Sequence, residues 1–367
     1  MTARRSAARW AAAGLVVHLL LVGAVLVRYP DEPEWFVHFG SKALALDEAR
    51  RVLGPGVLTP NLDGHDGRYF WVLARDPLLL NANRDAEVID RPVYRAQRIG
   101  YPLLAAPWRV GGEYALVWGL LVTNLVAIAL GGYLAALLAL DVGAPARAGL
   151  AFALCPGVVA AVLLDASDAV ALAALLAAML ALRRGRTGRA AAAAAIAVLA
   201  KEPSILPLVG LATLAPGLRR RDRVAVVAVP AAVGAAWGLY ERWRFDWAPT
   251  RPLELGRPFW GYVDAYHRGW RPVGNWHDAV TALALFPLAA FVGWRWWRSR
   301  SFVMAAALPP VLLVPFFSQQ VVDLTLNSVR TVVPTVTLLA IDLYAAAFRS
   351  RPTPPPPAPA GAPATRC

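Results

Sequence analysis

Long apolar runs rich in alanine and leucine alternate along the chain with short linkers that carry arginine. Runs over about residues 10–28, 113–140, 148–164, 168–182, 224–240, 279–294, 302–317 and 329–347 fit bilayer-crossing helices, because a hydrocarbon core of roughly 30 Å takes about 20 helical residues. The stretch 190–217 is ambiguous. As one crossing it would carry Arg219, Arg220 and Arg221 to the outside, against the bias of basic residues toward the cytoplasm. Broken at Lys201-Glu202-Pro203, it forms two short helices and returns the chain to the cytoplasm first. Proline at 203 favours the break, since it lacks a backbone donor and crowds the preceding turn. The pattern therefore predicts an all-α polytopic membrane protein with about 10 transmembrane helices and both termini in the cytoplasm. Residues 1–348 form one transmembrane domain on this reading.

Between the runs, residues 29–98 read as a first external loop and 241–278 as a second. Within the first, Ser41 to Val52 has helical periodicity, with Leu44, Leu46, Ala49 and Val52 apolar and Asp47, Glu48, Arg50 and Arg51 polar. It fits a helix lying in the interface plane. Tyr69 to Leu80 is a second interfacial candidate, and Ile99 to Val110, with two prolines, leads into the next span. Arg4, Arg5 and Arg9 precede the first run, which lacks a small-residue cleavage site and so reads as a retained signal anchor. The tail 349–367 is proline-rich and predicted to be disordered in the cytoplasm.

Composition sharpens this picture. At 58% hydrophobic and 17% charged, the 367 residues are too apolar for an ordinary soluble domain. A net charge of +13 would suggest nucleic acid in a soluble protein. Here the arginines, as in Arg183-Arg184-Gly185-Arg186-Thr187-Gly188-Arg189, sit between apolar runs, the pattern of cytoplasmic anchoring charge, so no nucleic-acid partner is expected. Lys42 and Lys201 are the only lysines, which gives Lys201 some extra weight. Cys155 and Cys367 make no disulfide framework, and the five histidines show no ligand spacing.

Candidate chemistry concentrates in Asn61-Leu62-Asp63-Gly64-His65-Asp66-Gly67-Arg68-Tyr69-Phe70-Trp71 and in Asp90 to Pro102. On the ten-span topology, Asp63, Asp66, Arg95, Arg98, Asp165, Asp168, Lys201, Glu202, Asp264, His267, Asp323 and Arg330 all fall at or near the outer face. Ionisable groups at membrane depth usually face a cavity or a partner. Asp66 has the makings of a general base at a cavity mouth, which needs a carboxylate within hydrogen-bond reach of a hydroxyl. Asp-Gly pairs at 63–64 and 66–67 also read simply as turn punctuation. Asp165 and Asp168 fit helix caps, and Lys201 and Glu202 fit a pair that neutralise each other at the break. Trp71, Tyr94, Trp243, Trp247, Trp260, Tyr262, Tyr266, Trp270 and Trp276 fit an interfacial belt, and aromatic faces also stack on sugars.

Asp66-Gly67-Arg68-Tyr69-Phe70, followed by Leu73-Ala74-Arg75-Asp76-Pro77, resembles the first-loop motif of GT-C glycosyltransferases, and of their mannosyltransferase-like bacterial branch in particular. Tyr94 to Leu104 and Lys201-Glu202-Pro203 are also similar to that group. The resemblance implies a GT-C-like bundle in the bacterial cytoplasmic membrane with interfacial helices in the first external loop. It implies transfer of a hexose or pentose, mannose being one candidate, from a polyprenyl-phosphate donor to a cell-envelope glycan, lipid or protein, with inversion. By position Asp66 would be the catalytic base and Asp63 a secondary candidate. The anionic leaving phosphate calls for Arg95, Arg98, Lys201 and Arg330, with His65, Tyr69, Tyr94 and Glu202 at the substrate. Arg68 departs from the glutamine common in such loops, and no adjacent acidic pair is present. A lone carboxylate is a poor divalent site, so no metal or other cofactor is indicated. The alternative class is a transporter or flippase for a lipid-linked or anionic substrate, with 190–217 as its midplane site. A bland accessory subunit is the third.

Overall fold

The computed structural model describes residues 2–247 and 255–349. The expected proline-rich tail and residues 248–254 of the expected second loop lie outside the described residues. Among those described the chain is all-helical, with 77% helix and no strands.

Four helices are long and apolar enough to cross a membrane: Ala3–Arg28, Glu113–Asp141, Arg220–Arg244 and Trp276–Ser299. Two bent pairs raise the number to six if each is one span. Ala146–Ala153 meets Pro156–Leu163 at 49°, and Thr325–Thr331 meets Val333–Arg349 at 59°. Proline accounts for both bends: Pro156 and Pro334 lie in the first turn after the break, where the missing donor costs nothing. Three shorter apolar helices, Thr187–Ala200, Glu202–Leu214 and Phe302–Phe316, complete the set. Side chains such as Leu20, Val27, Val126 and Val280 are well exposed on the long helices. Such faces suit a lipid solvent and would be a liability in water.

Glu113–Asp141 is the packing centre of the N-terminal half, held between Ala3–Arg28 and Asp168–Arg183. Asp168–Arg183 in turn packs on Thr187–Ala200, which packs on Arg220–Arg244. In the C-terminal half, Phe302–Leu312 joins Ile205–Leu214, Val333–Arg349 and Trp276–Ser299. Alanine lines many of these contacts, with Ala135, Ala139, Ala178, Ala194 and Ala306 fully buried, and small side chains let helix backbones approach closely. The helix does break at Lys201-Glu202-Pro203, where a short 3-10 turn separates Thr187–Ala200 from Ile205–Leu214.

The loop before Glu113 folds into short helices with a different character from that expected. Leu46–Leu53 keeps its periodicity, with Leu46 and Ala49 buried and Asp47, Arg50 and Arg51 exposed. Glu48, read as a polar-face residue, is buried instead and accepts from Arg75 at 2.6 Å as well as from Arg84 and Arg51. Tyr69–Leu80 is no surface helix. Its helical part, Gly67–Arg75, is buried continuously from Tyr69 to Ala74, with Trp71 and Leu73 at 0% exposure. Six consecutive apolar or aromatic residues wrap the helix, and its one polar edge, Arg68 and Arg75, turns onto Tyr69 and Glu48, so it becomes core. It ends where Asp76 accepts from the backbone N–H groups of Leu80 and Asn81.

Asp85, in the short helix Ala82–Val88, is 1% exposed and one of its carboxylate oxygens has no partner. Burial, joined by the nearby Asp76 carboxylate, pushes its pKa up to about 7. The folded chain therefore keeps a proton that the unfolded chain releases near the ordinary carboxylate value. Stability should fall as pH rises from about 4 to about 7 and level off above. Asp85→Asn is expected to raise the Tm of the detergent-solubilised chain at about pH 8 while leaving it unchanged at about pH 4. An equal gain at both pH values would show that ionisation is not the cause.

Candidate functional site

Two chain segments are laced together to present Asp66. The backbone N–H groups of Ser41 and Lys42 donate to the carbonyls of Asn61 and Leu62 at 3.0 and 2.8 Å, and His65 N–H donates to the His38 carbonyl at 3.1 Å. Asn61 Oδ1 accepts from Gly64 N–H, closing the turn. Asp66 then starts the buried helix: its carbonyl accepts from Tyr69 and Phe70 N–H, while its carboxylate makes no cap hydrogen bond. Gly67 permits this entry, because a Cβ there would stand 2.7 Å from the Val37 carbonyl oxygen and 2.8 Å from that of Leu164. The backbone makes the turn, and the side chain is left over for other partners.

Those partners are two arginines from distant parts of the chain. Arg95 Nη1 donates to Asp66 Oδ1 at 2.8 Å and Arg330 Nη2 to Asp66 Oδ2 at 2.8 Å. Arg330 is only 7% exposed, and its Nε also donates to Asp168 Oδ2 at 2.9 Å. Lys201, at the helix break, donates to the other Asp168 oxygen and to the Arg330 carbonyl at 3.2 Å. Asp168 therefore anchors two cations and caps no helix. Nor do Lys201 and Glu202 neutralise each other. Glu202 accepts a two-pronged contact from Arg98, Nε to Oε2 at 3.0 Å and Nη2 to Oε1 at 2.9 Å. Arg98 Nη2 also donates to Tyr94 Oη at 2.9 Å, and Arg95 lies over the Tyr69 ring at 4.1 Å.

This network walls a polar cavity of about 220 Å³. Asp66, His65, Tyr69, Tyr94, Arg95, Arg98, Lys201 and Arg330, eight of the ten residues singled out from sequence, all line it. Two do not. Asp63 is exposed and lines a neighbouring pocket with Lys42, and Glu202 stands behind Arg98. Among the other polar residues, Asp165 is buried away from the cavity with its side chain 3.4 Å from Tyr101 Oη, and Asp264 pairs with Arg268. Sequence reading missed Asp168 as the anchor and missed Arg91, Gln320 and Asn327 in the wall. The signal for the last two was available, as amides in an otherwise apolar C-terminal region.

The electrostatics follow from the pairing. Burial alone would raise the Asp66 carboxyl, but Arg330 and Arg95 outweigh it and hold the group far below the ordinary carboxylate range. His65 is lowered, first by burial and then by Arg330 and Arg68 against the opposing pull of Asp66. A second, largely apolar chamber of about 100 Å³ adjoins the cavity across Lys201, Arg330 and Thr331, and is lined by Leu172, Leu206, Leu313, Phe317 and Pro334 among others. Among the described residues, no three His, Cys, Asp or Glu side chains gather to hold a metal ion.

No family model, curated protein or solved structure matches the chain, and it is assigned to no family on that ground.

Removing one partner of a buried pair leaves the other charge uncompensated, at about 3–5 kcal/mol. Arg330→Gln leaves Asp66 only Arg95 and Asp168 only Lys201, so it is expected to destabilise the chain by up to about that amount, read from thermal or denaturant unfolding. A loss below about 1 kcal/mol, the range of exposed pairs, would mean that water already solvates the cluster.

Proposed function

We propose that the chain is a GT-C-type membrane glycosyltransferase that moves a sugar from a polyprenyl-phosphate donor to an acceptor at the membrane surface. The observation that carries this reading is the wall of cations shared by a polar cavity and an apolar chamber. An amphiphile with an anionic head fits that pair of compartments: phosphate against Lys201, Arg330 and Arg95, isoprenoid chain beyond them. Arginine's planar fork matches phosphate oxygens, and lysine adds a point charge. The ten-span topology belongs to the same proposal. It counts the four long helices, the two bent pairs, the three shorter apolar helices and Asp168–Arg183 as one crossing each. Both termini then lie in the cytoplasm and the cavity faces outward.

In the proposed step, the acceptor hydroxyl gives its proton to Asp66 as its oxygen attacks the anomeric carbon. The bond from that carbon to the phosphate oxygen breaks, its electron pair leaves with polyprenyl phosphate, and the anomeric configuration inverts. Without substrate, Asp66 is a weak base because both its oxygens are occupied by guanidinium groups. An arriving phosphate competes for those donors, and the carboxylate it displaces regains basicity. Stabilisation of the leaving group's charge and release of the base are thereby tied to the same two arginines. A transporter for an anionic lipid is the second reading, favoured by the helix break at residues 201–204, whose Lys201 lines the cavity.

Purified full-length protein in lipid nanodiscs, given polyprenyl-phosphate sugars, is expected to transfer sugar, and Asp66→Asn to lower the rate by about 10²-fold or more, the usual worth of a general base. Transfer that survives the substitution would move the base to Asp63 or another carboxylate. Movement of labelled lipid across vesicle membranes without donor consumption would favour the transporter.

A further inference from the structure

Among the described residues, two cations around the cavity pair with no carboxylate: Arg91, which donates to Gln320 Oε1 at 3.4 Å, and Arg68. Arg95, Arg98, Lys201 and Arg330 each pair with a carboxylate. Arg68 pairs with none: its one hydrogen bond is from Nη2 to Tyr69 Oη, and its guanidinium lies over the Tyr69 ring at 4.5 Å. Its Nε and Nη1 are buried and lack a partner among the described residues. Two buried guanidinium donors left idle are costly unless a ligand or water meets them.

Room for this arrangement is built into the turn. Gly64 has φ +72°, and a Cβ on it would lie 2.7 Å from Arg68 Nη1. Asn61 Oδ1 and the carbonyl of His38 hold the turn at that point. Arg68 and Tyr69 border two spaces. One is the central cavity, and the other is a side pocket of about 290 Å³ lined by Lys42, Leu44, Asp63, Tyr69 and Asp90. The apolar chamber opens from the central cavity across Lys201 and Arg330, neither of which borders the side pocket. Three compartments thus follow one another: apolar chamber, central cavity, side pocket.

We propose that Arg68 and the side pocket form a second oxyanion subsite, which takes a phosphate or carboxylate carried by the acceptor. The acceptor assignment rests on the glycosyl-transfer reading, whereas the anion site does not. With the donor's lipid in the apolar chamber and its phosphate at Arg330, the transferred sugar occupies the central cavity and the acceptor enters from the side pocket. Arg68 and Lys42 there favour an anionic acceptor, while Asp63 and Asp90 offer oxygens to its hydroxyl groups and limit how tightly the anion is held.

The test is binding of inorganic phosphate to the full chain in phosphatidylcholine nanodiscs, with and without saturating polyprenyl phosphate. Phosphate is expected to bind alongside the lipid, and Arg68→Gln to weaken that binding about tenfold or more, the worth of a charge-assisted hydrogen bond, without changing lipid binding. Arg68→Lys should keep part of the affinity. Asp63→Asn, at an exposed position that puts folding at little risk, should tighten phosphate binding by removing a like charge. Unchanged phosphate affinity in Arg68→Gln or Asp63→Asn would overturn the subsite, as would complete displacement of phosphate by the lipid. If a polyprenyl diphosphate binds more tightly than the monophosphate and loses that advantage in Arg68→Gln, the subsite belongs to the donor and the acceptor assignment falls. If polyprenyl phosphate does not bind while phosphate still depends on Arg68, the glycosyl-transfer reading fails and the oxyanion subsite stands.

Discussion

The guanidinium of Arg330 lies between two carboxylates, Asp66 and Asp168, that are more than a hundred residues apart in the chain. Taking charges out of water costs several kcal/mol per ion, and only close, hydrogen-bonded pairing returns it. That requirement dictates much of the local structure. The bend after Thr331 sets the end of one helix beside the start of Asp168–Arg183, and the break at Lys201 supplies the second cation that Asp168 needs. The turn at residues 61–66, strapped to residues 38–42, brings in the remaining carboxylate.

A network that satisfies its own charges is also one that an anionic ligand can rearrange. Arg95 divides its donors between Asp66 and Asp90, and Arg330 between Asp66 and Asp168. Each arginine therefore keeps a carboxylate partner if its contact with Asp66 is given up to a phosphate. Arg98 meets Glu202 with both prongs of its fork and makes no contact with Asp66 among the hydrogen bonds described above. Arg98 and Glu202 thus fit a structural strut, and Asp66 with its two arginines fits the exchangeable centre. The Tyr69 ring stacks on the Arg95 guanidinium, and Tyr94 both stacks on Arg98 and accepts from its Nη2.

Much of the site was legible because its residues are expensive. Ionisable side chains in so apolar a chain have few reasons to be there, and eight of the ten singled out do converge on one cavity. Their pairings were not legible. Lys201 and Glu202 are neighbours in sequence, yet the 3-10 turn at the break sends one toward Asp168 and the other toward Arg98. Asp168 looked like a cap because acidic residues so often start helices, and nothing local reveals that two cations arrive from residues 201 and 330.

What the sequence determined by itself is the all-helical character, the long apolar helices and the break at Pro203. Each depends on local rules: apolar run length, helix propensity and the missing donor of proline. Tertiary structure decided the rest. Gly67–Arg75 became core in place of a surface helix because its apolar residues cover the whole circumference and neighbouring helices offered a place to bury them. Which carboxylate meets which cation, and which guanidinium is left without one, was settled only when the helices packed. Charge pairing acts over a few ångströms in space and carries no record of separation along the chain.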